Sequence, residues 1–97
     1  MIASFADVGT RDIYDGADTK AARKTLSKEL WSVARRKLDM LDAAHTLDDL
    51  KVPPNNKLKK LKKDLAGKYS IRINDQWRVI FAFAGGTASE VLIEDYH

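Results

Sequence analysis

The spacing of the apolar residues changes along the chain, and this change limits the possible fold more than any other feature. From Thr19 to Ala44 apolar residues recur every three or four positions, which is the period of one face of an α-helix. These residues are Leu26, Leu30, Val33, Ala34, Leu38 and Leu41. From Tyr69 onward apolar residues alternate or form short runs, as in β-strands. We therefore predict an α+β fold in which N-terminal helices pack on one face of a small, mainly antiparallel sheet.

The limits of the helical part are less clearly marked. Residues 1–5 favour a short first strand, and Thr10 offers a polar cap for a short helix that continues to Tyr14. Around Ser27 the long helical pattern either continues or breaks, so one long helix and two shorter helices both fit. Residues 45–50 predict a brief capped turn of helix, which two consecutive prolines then end.

The C-terminal part predicts an antiparallel meander of strands. Alternating residues favour a strand over Tyr69–Ile73, and a strongly apolar run favours a second strand over Trp77–Phe83. A tight hairpin turn at Gly85–Gly86 leads into a third strand over Ser89–Tyr96, because two glycines readily adopt the left-handed backbone that such turns need.

Length and composition favour one small domain inside the cell. A chain of 97 residues builds one hydrophobic core, so we expect a single domain over residues 1–97. The sequence has no cysteine, which suits a reducing compartment. Residues 1–7 lack the features of a signal peptide, and no apolar stretch approaches membrane-spanning length. We therefore expect a cytoplasmic protein with no membrane partner.

The positive charge is concentrated in one part of the sequence. Residues 51–78 hold nine Lys or Arg against two Asp, which gives +7; the whole chain carries +3, so the remaining residues sum to −4. Clustered cations bind polyanions because each phosphate contact releases counterions. RNA, DNA and anionic lipid are all compatible partners on this ground.

A lysine-rich stretch contributes most of this charge. Its lysines are Lys57, Lys59, Lys60, Lys62 and Lys63. If the stretch is a strand, Lys60 and Lys62 share one face and the other three share the opposite face, so two of them can aim at one phosphate. The alternative is a solvated edge strand, where lysines prevent edge-to-edge aggregation. The sequence leaves both interpretations open.

Arg78 lies in a run apolar enough to form a central strand. A charged side chain in such a strand indicates a specific structural or functional role. A guanidinium binds phosphate with two parallel hydrogen bonds and stays charged at any usable pH, so it suits charge stabilisation in phosphoryl transfer. The alternative is an internal salt bridge with Glu94 or Asp95.

The sequence ends with Asp95, Tyr96 and His97, three side chains that suit metal-free RNA cleavage. That reaction needs a base for the 2′-hydroxyl, cations for the pentavalent phosphate and an acid for the leaving 5′-oxygen. On an extended strand Asp95 and His97 share one side. The alternative is a frayed terminus. No metal or other cofactor is expected, because the two histidines and the acidic residues show no ligand spacing.

Several motifs taken together resemble the HigB toxins, including GraT-like members, within the RelE/ParE superfamily. The motifs are the lysine-rich segment 58–64, the segments 69–73 and 74–79, and the terminal residues 94–97. Residues 1–5 and 37–44 are also similar, so the resemblance runs nearly from end to end. It implies the RelE-like toxin fold.

The resemblance also implies a function and partners. It implies a toxin of a type II toxin–antitoxin system that enters the ribosomal A site, cleaves mRNA and inhibits translation and growth. The implied partners are the ribosome, mRNA and a helix-turn-helix antitoxin of the HigA type, through which the toxin reaches operator DNA indirectly.

The same resemblance assigns roles to individual residues. It implies that Lys62 and Arg78 stabilise charge on the scissile phosphate, that Asp95 and His97 transfer protons, and that Tyr96 positions the nucleotide or stacks on it. Other cations would bind RNA, namely Lys57, Lys59, Lys60, Lys63 and Arg72.

One departure from the family pattern concerns residues 59–63. Many HigB toxins carry His-Pro-Leu-Lys-Gly where this chain has Lys-Lys-Leu-Lys-Lys, so Lys59 replaces a histidine. A lysine ammonium in water holds its proton at neutral pH and is therefore a poor general base. We therefore expect proton transfer to depend more heavily on the terminal residues, with weaker or differently selective cleavage.

Two other functions are compatible with the sequence, because a shared fold does not fix function. One is a non-catalytic toxin that acts on DNA gyrase, as ParE toxins do. The other is a nucleic-acid or ribosome-binding module that disturbs ribosome assembly without cutting RNA.

Overall fold

The computed structural model describes residues 1–95, in which three helices precede a four-stranded sheet. The helices are α1 Val8–Asp15, α2 Lys20–Thr25 and α3 Trp31–Ala43. The strands are β1 Lys59–Lys60, β2 Lys68–Arg72, β3 Trp77–Ala84 and β4 Thr87–Asp95. Short 3-10 turns occupy Lys28–Leu30, Leu47–Lys51, Pro54–Asn56 and Lys63–Leu65. The predicted α+β architecture is confirmed. None of the helices in this part of the chain is long and apolar enough to span a membrane.

The long helical pattern is divided into two helices. Leu26 ends α2 in an extended conformation, and α3 starts at Trp31 after a single 3-10 turn. The buried indole of Trp31 donates from Nε1 to the carbonyl oxygen of Leu26 at 2.8 Å, which satisfies a carbonyl at the break. Of the two alternatives that the sequence left open around Ser27, the structure has the broken one.

The first helix starts earlier than its sequence signal suggested. Asp7, not Thr10, caps α1, because the Asp7 carboxylate accepts from the backbone N–H of Thr10 at 2.8 Å. Thr10 is fully buried, and its Oγ1 accepts from the backbone N–H of Ile93 at 3.0 Å. The prediction that Thr10 acts as the cap is therefore wrong, since this hydroxyl joins the helix to the sheet instead.

The four strands form an antiparallel sheet in the order β1-β2-β3-β4. Gly85 and Gly86 make the β3–β4 hairpin turn with φ angles of 57° and 78°, which confirms the predicted turn. Residues 1–5 do not form a strand of their own. They make two isolated parallel bridges, Ile2 to Ala88 and Phe5 to Val91, and so cover part of the free edge of β4.

The two faces of the sheet differ in character. The inner face packs on the helices in one core and includes Ile71, Val79, Phe81, Val91 and Ile93. The outer face follows from the strand register, since residues directly opposite each other share a face and alternate residues repeat it. It comprises Lys59, Ser70, Arg72, Arg78, Ile80, Leu92 and Glu94.

Candidate nucleic-acid interface

Two arginines stand side by side on the outer face of the sheet. Arg72 of β2 is directly opposite Arg78 of β3, and Arg78 is directly opposite Glu94 of β4. Directly opposed residues place their Cβ atoms about 4.5–5.5 Å apart, and like charges in such pairs are destabilising. The Arg72–Arg78 pair therefore concentrates positive charge at one end of the sheet.

The turn between β2 and β3 holds the guanidinium of Arg78. The Asn74 side-chain oxygen accepts from the backbone N–H groups of Gln76 and Trp77, at 2.9 and 2.8 Å, and fixes this turn. Nη1 of Arg78 donates to the carbonyl oxygens of Asn74 and Trp77. Carbonyl groups orient the guanidinium without neutralising its charge. Within residues 1–95, Arg78 forms no salt bridge, so the internal ion pair considered above is not found there.

Arg72 is only weakly compensated. It forms an ion pair with Asp75, whose side chain is 97% exposed. The Arg72 side chain is 26% exposed, but because the Asp75 carboxylate stays in water, its attraction for Arg72 is partly screened. Arg72 therefore keeps much of its attraction for a polyanion.

The lysine-rich stretch is not one strand. Only Lys59 and Lys60 pair with β2, and Lys57 and Lys63 have positive φ angles of 46° and 57°, which break the extended path. The alternation predicted for all five lysines therefore applies to this pair alone. Lys59 is opposite Ser70 on the outer face, whereas Lys60 is opposite Tyr69, and Lys62 is exposed just before a 3-10 turn.

One buried leucine anchors this lysine loop, which we define as residues 57–65. Leu61 is 2% exposed, and its N–H donates to the carbonyl oxygen of Lys68 at 2.9 Å. A shallow cavity of about 320 Å³ lies among residues 59–63. In the described part of the chain none of the five lysines of the loop forms a salt bridge, and the loop contains a single acidic residue, Asp64.

The structure brings some of the predicted residues together and separates others. Lys59, Arg72 and Arg78 share the outer face. Asp95 ends β4 directly opposite Trp77, so the strand register places Asp95 and Arg78 on different faces of the sheet. The Asp95 carboxylate accepts from Nε2 of Gln76 at 2.9 Å. Tyr96 and His97 lie outside the described residues, so the structure gives no geometry for their predicted roles.

Comparison with known proteins fixes the family. Residues 3–97 match the family described as the RelE-like toxin of the type II toxin–antitoxin system HigB. The chain belongs to this HigB-like toxin family. It is 33% identical over 96 residues to Toxin HigB-1 of Vibrio cholerae, and the aligned region covers 99% of this chain and 98% of that toxin. The resemblance stated from the motifs is thereby confirmed.

Solved structures place this HigB-like toxin in the RelE-like fold. The YoeB–YefM complex of Staphylococcus aureus matches with a TM-score of 0.61 and 20% identity, covering 100% of this chain and 95% of that one. The YoeB/ParE toxin of Agrobacterium tumefaciens matches with a TM-score of 0.55 and 16% identity, covering 99% and 98%. At these identities the likeness shows the fold alone.

This HigB-like toxin contains a buried polar pair that was not predicted from its sequence. Lys37 of α3 is 6% exposed, and its Nζ donates to Oδ1 of the fully buried Asn56 at 2.5 Å. Burial, followed by the positive charges of Arg36 and Arg72, lowers the pKa of Lys37 below its usual 10.5. The sequence contains a sign that Lys37 is buried, because Lys37 follows Val33 by four positions and so lies on the apolar stripe of the helix.

The described residues offer no obvious metal centre. Among residues 1–95 there is no group of three His, Cys, Asp or Glu side chains placed to hold a metal ion.

Proposed function

We propose that this toxin is an endoribonuclease, an mRNA interferase, that cleaves mRNA in the ribosomal A site and so inhibits translation and growth. One observation carries the proposal beyond family membership. Arg78 is oriented by backbone carbonyls, lies opposite Arg72, and forms no salt bridge within residues 1–95. An arginine held in this way is ready to bind a phosphate with little rearrangement.

In the proposed reaction the RNA supplies its own nucleophile. A base removes the proton of the 2′-hydroxyl, the resulting oxygen attacks the adjacent phosphorus, and the bond to the 5′-oxygen breaks as that oxygen gains a proton. The products are a 2′,3′-cyclic phosphate and a 5′-hydroxyl. Arg78 and Lys62 would stabilise the extra negative charge of the pentavalent phosphate, because fixed cations act most strongly where charge develops.

We assign proton transfer to the end of the chain. Asp95 and His97 would carry the proton transfers, and Tyr96 would position the nucleotide or stack on it, as the family resemblance implies. The hydrogen bond from Gln76 to Asp95 supports this assignment, because it ties the carboxylate to the turn that also holds Arg78. Lys59, which replaces a histidine of the family pattern, would contribute charge and not proton transfer.

The remaining cations would bind RNA around the cut. Lys57, Lys59, Lys60, Lys63 and Arg72 supply the charge that attracts mRNA and ribosomal RNA. We further propose that a HigA-type helix-turn-helix antitoxin is the inhibitory partner, that it links the toxin to operator DNA, and that the complex acts in the cytoplasm.

A reconstituted translation reaction tests the proposal directly. Purified toxin should cut an mRNA only while ribosomes translate it, and Arg78→Ala should slow cleavage about 10²-fold or more, as expected for loss of a charge-stabilising donor. Arg11→Ala is the matched control, because Arg11 is exposed on α1 and makes only a 3.9 Å ion pair with Asp15. An unchanged cleavage rate in Arg78→Ala would overturn the assignment.

A supercoiling assay with purified DNA gyrase separates this function from the gyrase alternative. The toxin should leave supercoiling unchanged at concentrations that cut all of the translated mRNA. Inhibition of gyrase together with intact mRNA would instead place the protein with non-catalytic toxins of the same fold.

A further inference from the structure

A basic pocket is lined by residues of α3 and of the end of β2. The pocket has a volume of about 230 Å³ and is lined by Arg36 and Lys37 from the helix and Arg72 from the strand. Its remaining lining residues are uncharged, namely Val33, Asn55, Ile73 and Asn74. None of the described residues that line it is acidic. The pocket therefore collects three cations with no anion inside it.

The three cations have spare hydrogen-bonding capacity. An ammonium carries three donors, and the bond from Lys37 to Asn56 uses one of them. Arg36 is exposed and forms no ion pair within residues 1–95. The partner of Arg72, Asp75, is almost fully exposed, and it is not a lining residue of the pocket.

This arrangement is costly unless an anion binds. Lys37 is buried close to two positive charges, so its protonated form is disfavoured, and its lowered pKa has the same cause. A bound anion would reverse the sign of this local interaction and accept the unused donors. The volume is several times the roughly 30 Å³ share of one water molecule, which leaves room for a phosphate group.

We propose that this pocket binds a phosphodiester group of single-stranded RNA, as a second phosphate site beside the one assigned to Arg78. Arg72 connects the two sites, since it lines the pocket and is also the cross-strand neighbour of Arg78. The proposal rests on the proposed function insofar as it takes RNA to be the ligand. The pocket would hold a neighbouring phosphate of the chain that is cut and so fix its register.

Salt-dependent RNA binding tests the second site without requiring cleavage. The probe is a fluorescent single-stranded RNA with 2′-O-methyl groups, which lacks the nucleophile, and the measurement is anisotropy over a series of salt concentrations. Loss of one phosphate contact should reduce the slope of log affinity against log salt by about 0.7. Arg36→Gln should show this reduction, with roughly tenfold weaker binding at low salt.

Matched variants separate a site-specific effect from general loss of charge. Arg11→Gln removes the same charge from an exposed position on α1 and should keep the intact slope. Arg36→Lys keeps the charge and should restore most of the slope. An equal slope in Arg36→Gln and Arg11→Gln would overturn the proposal, as would failure of the intact toxin to bind this RNA.

Failure of the second phosphate site can be distinguished from failure of the proposed nuclease function. An unchanged slope in Arg36→Gln, with mRNA cleavage that depends on Arg78, would overturn the second site alone. A reduced slope in Arg36→Gln, with no cleavage by the intact toxin, would support the phosphate site and overturn the nuclease assignment. Preferential binding of an acidic peptide over RNA, lost in Arg36→Gln, would also overturn the RNA proposal.

Discussion

At the scale of single residues, the buried pair of Lys37 and Asn56 joins the helical layer to the loop that precedes the sheet. Asn56 accepts from Lys37 and donates from Nδ2 to the carbonyl oxygen of Leu50 at 3.1 Å. One amide thereby accepts one hydrogen bond from a buried ammonium and donates one to a loop carbonyl, and this part of the loop depends on it.

Replacing Asn56 should therefore reduce stability. We expect Asn56→Ala to lower the free energy of unfolding by about 1–3 kcal/mol, because it leaves buried polar groups without partners. Urea denaturation measures the change. The neighbouring Asn55 is exposed, so Asn55→Ala serves as the control and should have a much smaller effect. Equal losses in the two variants would show that the buried amide has no special role.

Lys37 should also make stability depend on pH. Its pKa is lower in the folded chain than the 10.5 of the unfolded one, so between these two values the unfolded state binds more protons. The free energy of unfolding should therefore rise as pH increases through that window. Urea midpoints at several alkaline pH values should show a smaller rise in Lys37→Met than in Lys24→Met, a control at an exposed position of α2. Identical pH profiles would contradict this account.

Residue chemistry explains which parts of the candidate site were visible in the sequence. Arg78 was identifiable because a charge stands out in an apolar strand. The residues beside Arg78 could not be identified in this way, since the placement of Lys59 and Arg72 on the same face depends on the register of β1, β2 and β3. The register of β1 against β2 depends on the irregular loop between them and on tertiary packing, which no local pattern encodes.

At the scale of elements, local signals predicted the strands better than the helix limits. Alternation and the Gly85–Gly86 turn are short-range features, and both were found. The helical pattern breaks at Leu26, whose carbonyl oxygen accepts from the indole of Trp31 five positions later. Thr10 does not cap α1, and its hydroxyl instead accepts from Ile93 of β4, which is 83 positions away. Tertiary contacts therefore set boundaries that propensity alone left open.

The contact between α1 and α2 gives a test at this scale. A Cβ added to Gly9 would lie 2.7 Å from the carbonyl oxygen of Ala21 and would clash with the hydroxyl of Thr25. We expect Gly9→Ala to destabilise the fold by about 1–3 kcal/mol, since the helices must separate. Thermal unfolding measures this, with Lys24→Ala on the exposed side of α2 as the control. A gain of about 1 kcal/mol, the normal benefit of alanine in a helix, would contradict the close approach.

At the scale of the whole molecule, charge is arranged for contact with a polyanion. Residues 51–78 carry +7 and contribute the lysine loop, Arg72 and Arg78, while the rest of the chain sums to −4. The sheet presents Arg72 and Arg78 on the face opposite the helices, and the second basic pocket continues from Arg72 towards α3. Such a surface suits a negatively charged strand that runs past Arg78.

The most direct test of the central claim is a map of new RNA 5′ ends after induced expression in cells. The intact toxin should produce cuts in translated mRNAs that are phased with the reading frame, and a chain lacking Tyr96 and His97, expressed to the same level, should not. Growth arrest by the intact toxin with mRNA left whole, or the same phased cuts from the shortened chain, would contradict this account of RNA cleavage.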